Sequence, residues 1–287
     1  MSLKTLIVVP ARYESTRFPG KPLAKISGVS MVVRVARRAE AAARALDNAT
    51  YVVATDDQRI ADHCRDNGYS AVLTDAALPS GSDRALAAAR AVSETPRFIV
   101  NLQGDAPFTP PDHITAIVAA LEAREADAAT PCVRLDWAGL DALREAKKTS
   151  PFSGTTCLVG EDGEALWFSK TILPTLRNED ALRRERTLSP VRQHIGLYAF
   201  QRQSLQRFAD LPSSPYEKLE GLEQLRLLEN RMSLLCVEVA PARFLASGVD
   251  TPAPGDIPTY SEAIARPMKT APGAAFAYGP VNFQIFG

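Results

Sequence analysis

The chain has 287 residues with 33 basic and 33 acidic side chains, which leaves no formal net charge at pH 7. This balance excludes bulk electrostatic attraction to nucleic acid or to an anionic membrane as the basis of its function. Hydrophobic residues make up 46% and charged residues 23%, as in ordinary globular proteins, so the chain can bury a sizeable core.

Strand-like and helix-like segments alternate from the N-terminus to about residue 124. The pattern predicts strands at 5–9, 51–55, 71–74 and 98–102 and helices at 32–46, 59–67, 83–92 and 112–124. This alternation is typical of an α/β fold with an open, mainly parallel, Rossmann-like sheet and helices on both faces. Ligands of such sheets bind beyond the C-terminal ends of the strands. We therefore expect the site in the loops that follow residues 9, 74 and 102.

The pattern changes at about residue 127. It predicts strands at 155–159, 165–168 and 194–200 without regular helices between them, a charged loop at 177–186, a helix at 215–230 and a strand at 234–239. We expect one domain over 1–265, in which 127–200 forms a small mixed or antiparallel extension for sugar binding or dimerisation. A tail follows at 266–287. Its aromatic residues and the strand-like composition of 281–286 favour docking on a sheet edge over disorder.

Cysteine and histidine usage argues against a thiol-based or histidine-based metal site. The three histidines are scattered, and the four cysteines form no CxxC pair: Cys64, Cys132, Cys157 and Cys236. Free cysteines are expected in the core of a protein from the reducing cytoplasm. The apolar run at 5–9 ends at Pro10 and Arg12 with no cleavage site after it, which favours a buried strand over a secretory signal.

The loop at 10–22 directly follows the first predicted strand. It holds three cations, two Ser or Thr hydroxyls and one glycine. Backbone N–H groups, Arg and Lys at the end of a strand can bind a polyphosphate. The spacing is not that of a P-loop, so this would be a different phosphate-binding device. The alternative is a solvated basic loop.

Two further loops carry single aspartates beside glycine. Gln103, Gly104 and Asp105 follow the strand at 98–102, where an amide can bind a base edge and a carboxylate can bind Mg²⁺. Asp250 follows Gly248 in a second such loop. Each loop taken alone is also compatible with a simple turn. Together with the basic loop they indicate a metal–nucleotide site, because substrate phosphates supply the remaining ligands.

These motifs resemble the signature sequences of the 3-deoxy-manno-octulosonate (Kdo) cytidylyltransferases. The collinear matches run over roughly residues 4–262 and comprise Pro10-Ala11-Arg12-x-x-Ser15-Thr16-Arg17-x-Pro19-Gly20-Lys21-Pro22, Ala54-Thr55-Asp56, Ser80-Gly81-Ser82-Asp83-Arg84, Gln103-Gly104-Asp105-x-Pro107, Phe168-Ser169-Lys170, His194-Ile195-Gly196-Leu197-Tyr198, Leu222-Glu223-Gln224-Leu225-Arg226 and Gly248-Val249-Asp250-Thr251-Pro252. The resemblance implies a nucleotidyltransferase fold and a cytoplasmic, homodimeric enzyme. Its reaction would join CTP and a sugar acid for lipopolysaccharide or capsule synthesis.

The resemblance also implies a role for individual positions. Nucleotide binding is implied for Pro10, Ala11, Arg12, Ser15, Arg17, Lys21, Thr74, Ser80, Gly81 and Gln103. Sugar-acid binding is implied for His194, Tyr198, Glu223 and Gln224. Asp105 and Asp250 are implied as Mg²⁺ ligands and, with Lys21 and Arg12, as catalytic residues.

The sequence departs from the family pattern at two places that bear on the sugar acid. Ala106 replaces a carboxylate in the Gln-Gly-Asp-Glu-Pro motif, and an Asn-Pro-x-x-Val-Lys segment loses its lysine near Thr156. The departures keep open a nucleotidyltransferase for a nonulosonate or an amino-sugar analogue. A non-catalytic nucleotide-binding homologue is the third alternative, because a fold does not guarantee a function.

Overall fold

The computed structural model describes residues 3–14, 19–26 and 28–241. The first half contains β1 (Thr5–Ala11), a 3-10 helix (Lys21–Leu23), β2 (Lys25–Ile26), β3 (Val29–Ser30), α1 (Met31–Ala45), β4 (Ala49–Thr55), α2 (Gln58–Asp66), β5 (Ala71–Leu73), α3 (Gly81–Ala91), β6 (Phe98–Leu102) and α4 (Pro111–Ala123). Every strand and helix predicted in this half is confirmed. Most of their ends differ from the predicted ends by one or two residues.

The second half is richer in helices than its sequence pattern indicates. It contains β7 (Ala128–Asp136), α5 (Trp137–Thr149), β8 (Thr156–Val159), β9 (Ala165–Ser169), α6 (Glu179–Glu185), β10 (Leu188–His194), β11 (Leu197–Gln201), α7 (Arg202–Asp210), α8 (Pro215–Glu220), α9 (Leu225–Glu229) and β12 (Leu234–Glu238). The predicted absence of helices between the strands of this region is therefore wrong, because α6 lies between β9 and β10.

The prediction of a charged loop at 177–186 is wrong because ion pairs with α5 support a helix there. Arg144 of α5 contacts Glu179 of α6 at 2.7 Å, and Asp141 of α5 contacts Arg183 of α6 at 2.6 Å. These guanidinium groups hold the pKa of Glu179 at about 2 through their hydrogen bonds. A pattern of charges without apolar periodicity does not reveal such tertiary pairing.

Two predicted elements are each divided in the structure. The strand predicted at 194–200 is interrupted at Ile195 and Gly196, where the N–H of Leu197 bonds to the carbonyl of Ile195 at 2.8 Å. The interruption lets β10 pair with β8 and β11 pair with β6. The helix predicted at 215–230 ends at Gly221, whose φ of 64° is left-handed and terminates α8.

One ten-stranded sheet runs through the described residues. Its order is β5-β4-β1-β6-β11-β7-β10-β8-β9, with β12 added parallel to β7, and β2 and β3 form a separate pair. The first four strands are mutually parallel, and the pairs from β6 to β9 along this order are antiparallel. The predicted parallel sheet with a mixed extension is confirmed, and the extension continues the same sheet.

Alternate residues of β1 enter two hydrophobic cores on opposite faces of the sheet. Ile7 and Val9 pack with α1 and α4, whereas Leu6 and Val8 pack with α3 and α7. All four cysteines are free and buried, as predicted. Three of them meet in the second core, where hydrogen bonds to Cys132 and Cys236, followed by burial, raise the pKa of the Cys157 thiol. That thiol therefore stays protonated at neutral pH.

No helix in the described part of the chain is long and apolar enough to cross a membrane. The longest, α1, has 15 residues and carries Arg34, Arg37 and Arg38. A membrane-spanning helix needs about 20 predominantly apolar residues.

Candidate active site

The loops after β1 and β6 meet where the strand order of the sheet changes direction. β4 and β5 lie on one side of β1, and β6 lies on the other. A Cβ built on Gly104 would lie 2.1 Å from the carbonyl oxygen of Pro10. Because side-chain atoms cannot approach a carbonyl so closely, only glycine lets these loops pack together. The basic loop and the Gln-Gly-Asp loop thus form one site, at the position where ligands of such sheets bind.

The start of α3 reaches the same point. A Cβ on Gly81 would lie 3.4 Å from Cγ of Pro10, 3.5 Å from Oε1 of Gln103 and 3.6 Å from Nδ2 of Asn101. Three of the residues predicted to bind the nucleotide are therefore close neighbours, although they come from three separate segments of the chain.

Three other predicted nucleotide-binding side chains are engaged within the fold. Ser80 caps α3, since its Oγ accepts from the N–H of Asp83 at 3.1 Å and donates to that carboxylate at 2.6 Å. The Thr74 hydroxyl accepts from Arg84. Ala11 is buried in the first core. We therefore expect these residues to contact a nucleotide mainly through their backbone.

An ion pair joins the two loops. Nζ of Lys21 lies 2.7 Å from Oδ2 of Asp105, and the side chains are 14% and 30% exposed, respectively. Lys21 begins the 3-10 helix directly after Gly20, whose φ of 71° suits glycine. A cation and a carboxylate are therefore held together at the mouth of the site.

The remaining predicted nucleotide and metal residues are only partly within the described structure. Arg12 is exposed, and its charge adds to burial in lowering the pKa of Arg84. Ser15, Arg17 and Asp250 lie outside the described residues.

Asp105 is the one predicted Mg²⁺ ligand that lies within the described residues. Its carboxylate forms an ion pair with the ammonium of Lys21, with 2.7 Å between Oδ2 and Nζ. Within residues 3–14, 19–26 and 28–241, no group of three His, Cys, Asp or Glu side chains is placed to hold a metal ion. Mg²⁺ accepts one or two protein carboxylates when substrate phosphates complete its shell, and Asp105 suits that arrangement.

The predicted sugar-acid residues reach α3 through Glu223, which accepts a hydrogen bond from Oγ of Ser82 at 3.2 Å. The rings of His194 and Tyr198 have centroids 5.6 Å apart. Burial raises the pKa of the Tyr198 phenol well above its usual value, and the charge of Glu223 adds to this effect. Burial also raises the pKa of the Glu223 carboxyl. These three side chains, the "sugar-acid cluster", thus combine an imidazole, a phenol and a carboxyl.

His194 is a neutral hydrogen-bonding group in this cluster. Its Nε2 lies 2.8 Å from the hydroxyl of Thr130. Burial, followed by the charge of Lys170, lowers its pKa to about 3. Lys170 is 8% exposed and lies in the Phe168-Ser169-Lys170 motif, for which the resemblance implied no role. The structure therefore adds a buried ammonium near the predicted imidazole.

Gln224 presents an unused hydrogen-bond donor. The residue is 2% exposed, and its Nε2 has no partner among the described residues. A buried donor without a partner costs free energy, so such groups normally meet a ligand or a water molecule. This is the property expected of a substrate-binding amide.

Sequence reasoning missed the polar residues beneath the site. Asn101 is fully buried. The available signal was that it is the one polar residue in the apolar strand Phe98–Leu102. Ser82 and Arg84 lie within a quoted motif but received no role. Arg84 is fully buried and pairs with Asp56 at 3.1 Å. These residues support the loops rather than face solvent.

Comparison with known proteins gives a consistent family. The cytidylyltransferase family model matches residues 6–234. The 3-deoxy-manno-octulosonate cytidylyltransferase of Maricaulis maris is 40% identical over 251 residues, which cover 87% of this chain and 93% of the relative. The enzyme of the same name from Mesorhizobium japonicum is 39% identical over 257 residues, with 87% and 95% covered.

A solved structure agrees with these relatives. CMP:2-keto-3-deoxy-manno-octonic acid synthetase complexed with CTP is 31% identical, with a TM-score of 0.73 over 91% of this chain and 96% of that chain. The motifs behind the resemblance lie on the loops that the fold brings together. The chain is therefore a nucleotidyltransferase and belongs to the 3-deoxy-manno-octulosonate cytidylyltransferase family.

Proposed function

We propose that this enzyme transfers CMP from CTP to Kdo and releases pyrophosphate. The observation that carries the proposal is the juxtaposition of two sets of side chains. One set lies at the switch point, the place between β1 and β6 where the strand order changes direction, and comprises the Lys21–Asp105 pair and the close approach of Gly81 to Gln103. The other set is the sugar-acid cluster, which reaches Ser82 of α3 through Glu223. Relatives named for Kdo cytidylyl transfer, and a related synthetase in complex with CTP, support the same reaction.

The proposed reaction is an in-line displacement. The anomeric hydroxyl oxygen of the sugar acid bonds to the α-phosphorus of CTP, and the bond to the β-phosphate oxygen breaks. The hydroxyl proton passes to solvent. Positioning and charge neutralisation dominate catalysis of such transfers. Lys21 and Arg12 neutralise charge on the departing pyrophosphate. Mg²⁺, held by Asp105 and Asp250, would lower the pKa of the attacking hydroxyl.

The two departures from the family pattern have structural partners in this chain. Ala106 is buried, and its N–H bonds to the carbonyl of Gln103 at 3.0 Å. The Thr156 hydroxyl donates to the carbonyl of Thr171 at 2.7 Å. Lys147 of α5 donates to the carbonyl of Gly154 at 2.9 Å, so another lysine reaches the loop that lost one. The choice of Kdo over a different sugar acid is supported by the relatives that are named for it.

A panel of sugar acids tests the proposal. Pyrophosphate release is measured with CTP and each of Kdo, a nonulosonate and an amino-sugar analogue at equal concentration. We expect the highest kcat/KM with Kdo. Preference for another acid would support the alternative nucleotidyltransferase. Binding of CTP without release on any acid would support the non-catalytic homologue instead.

Base selection provides a prediction for Gln103. The enzyme is expected to prefer CTP over UTP, because a site built for the cytosine edge leaves buried groups mispaired with uracil. Gln103→Ala should reduce that preference by about tenfold, as expected for one lost hydrogen bond. The measurement is the ratio of kcat/KM for the two nucleotides. Gln58→Ala, on the exposed side of α2, is the control. Equal use of CTP and UTP by the wild-type enzyme would contradict the assignment.

We also propose that the enzyme is a homodimer that associates through the surface around β9. Leu166 lies on β9, Phe152 lies in the loop before β8, and Leu219 lies on α8; they are 61%, 75% and 80% exposed, respectively. Phe152 and Leu219 line one cavity of about 330 Å³. β9 also has a strand partner on one side only among the described strands. Clustered exposed apolar side chains of this kind mark protein interfaces.

Light scattering after gel filtration tests the dimer. The wild-type protein is expected at twice the chain mass of 31.0 kDa. Leu219→Asp should shift it toward the monomer, because a carboxylate is costly to bury in an apolar interface. Leu73→Asp is the matched control, since Leu73 is 49% exposed on β5 at the opposite end of the sheet. A monomeric wild-type protein would rule the dimer out.

We place the reaction in the bacterial cytoplasm, where CTP is available and free thiols remain reduced. The buried, unpaired cysteines support this compartment. The activated sugar would then serve lipopolysaccharide or capsule synthesis.

A further inference from the structure

A chain of hydrogen bonds connects the two halves of the candidate site. Nδ2 of Asn101 donates to Oγ of Ser82 at 3.2 Å. Oγ of Ser82 donates to both oxygens of Glu223, at 3.2 and 3.3 Å. The three residues come from β6, from α3 and from the turn between α8 and α9. Tertiary structure alone therefore assembles this chain.

Its direction is set by burial and by the chemistry of the groups. Asn101 is 0% and Ser82 is 1% exposed, so water does not compete for these bonds. A serine hydroxyl has a single hydrogen to donate. Since Ser82 accepts from Asn101, its own hydrogen is directed to Glu223. The hydroxyl stabilises the ionised carboxyl, and this bond lowers the pKa of Glu223 against the opposing effect of burial.

Each member of the chain also touches a predicted binding residue. Ser82 directly follows Gly81, and Nδ2 of Asn101 lies 3.6 Å from where a Gly81 Cβ would stand. Asn101 pairs directly with Tyr198 across β6 and β11. Opposed residues on antiparallel strands have their side chains on one face within contact distance. The nucleotide loop and the sugar-acid cluster thus share these two buried side chains.

We propose that Ser82 and Asn101 are positioning residues that hold the Glu223 carboxyl in place for binding the sugar acid. They touch no substrate themselves and act through Glu223. The proposal rests on the proposed function in one respect, namely that Glu223 contacts the sugar acid. It adds two residues to the sugar-acid site. One of them, Ser82, makes that site depend on the first turn of α3.

Steady-state kinetics separate this role from a purely structural one. Ser82→Ala should raise the KM for Kdo by at least about tenfold, because a hydrogen bond to a charged group is lost. The KM for CTP should change by less than about twofold, since such a bond is not made to the nucleotide. Ser82→Thr retains the hydroxyl and should restore the KM for Kdo. Equal increases in both KM values would overturn the proposal.

Ser204→Ala is the matched control. Ser204 is also a buried serine in the first turn of a helix, and it donates to the carboxylate of Asp127 at 2.7 Å. Ser204→Ala should lower the melting temperature by about as much as Ser82→Ala does, but it should leave the KM for Kdo unchanged. If Ser82→Ala does not fold, Ser82→Cys takes its place, because a thiol preserves the volume and donates only weakly.

A double-mutant cycle with Glu223→Gln tests whether Ser82 acts through Glu223. Effects of residues that act on one interaction do not add. Ser82→Ala should therefore change the KM for Kdo little once Glu223 is already replaced. Additive effects of the two substitutions would contradict the proposal.

A final measurement needs no turnover. In protein labelled with ¹³C at glutamate carboxyls, the Glu223 resonance is assigned by its loss in Glu223→Gln and titrated with pH. Ser82→Ala should raise the pKa of Glu223, because the bond that favours the ionised form is gone. An unchanged pKa would refute the positioning role. Absence of turnover by the wild-type enzyme, with the expected pKa shift, would instead refute the proposed function.

Discussion

The Asp105→Asn substitution is expected to lower kcat by about 10²-fold to 10³-fold, the usual effect of removing one preorganised electrostatic contact. A neutral amide is a poor ligand for a hard cation, and it no longer balances the ammonium of Lys21 at 2.7 Å. The fold should be retained because the swap is isosteric and the side chain is 30% exposed. Pyrophosphate release at saturating CTP, together with the melting temperature, measures both effects.

Asp112→Asn is the control for this prediction. Asp112 is an exposed acidic residue in the first turn of α4, in the segment that follows the same loop. It should retain wild-type activity. Near-native activity of Asp105→Asn at limiting Mg²⁺ would show that Asp105 is not a metal ligand.

The Asp56→Ala substitution should destabilise the protein by about 3 kcal/mol or more, as expected when one member of a buried ion pair is removed. Its partner Arg84 has a side chain that is 1% exposed, so the guanidinium would be left without a carboxylate in the core. Burial already lowers the pKa of this guanidinium. The charge of Asp56 is the largest effect that opposes this lowering. Urea denaturation measures the change in the free energy of unfolding.

Two further variants distinguish this explanation from a general effect of losing an acidic side chain. Asp62→Ala breaks the exposed pair with Arg65 and should change stability by no more than about 1 kcal/mol. Combining Asp56→Ala with Arg84→Met removes the stranded charge and should recover part of the loss. A double variant less stable than Asp56→Ala alone would argue against charge burial as the cause.

Local periodicity was sufficient to predict the parallel half of the fold. The strands there are short apolar runs, of which β1 and β6 are almost completely buried, and each helix has one apolar side, so a single segment carries its own signal. Because ligand loops follow such strands, the same pattern directed attention to Pro10 and Gln103. The structure indeed brings these residues together at the switch point.

Tertiary contacts determined what the sequence pattern left out. α6 depends on pairing of Glu179 with Arg144 of another helix. The break at Gly196 depends on the second partners of the two strands, since β10 and β11 both pair with β7 but β10 also pairs with β8 and β11 with β6. Neither cause is visible in a window of neighbouring residues.

The same distinction holds for the site. The sequence alone determined which residue types stand at the ends of the strands and, through the resemblance, which of them are expected to bind substrate. Only the tertiary structure decided that Asn101, Ser82 and Glu223 form one hydrogen-bonded chain, because they lie far apart in sequence. A buried polar group must find its partner wherever the fold places one, and that partner cannot be identified from local sequence.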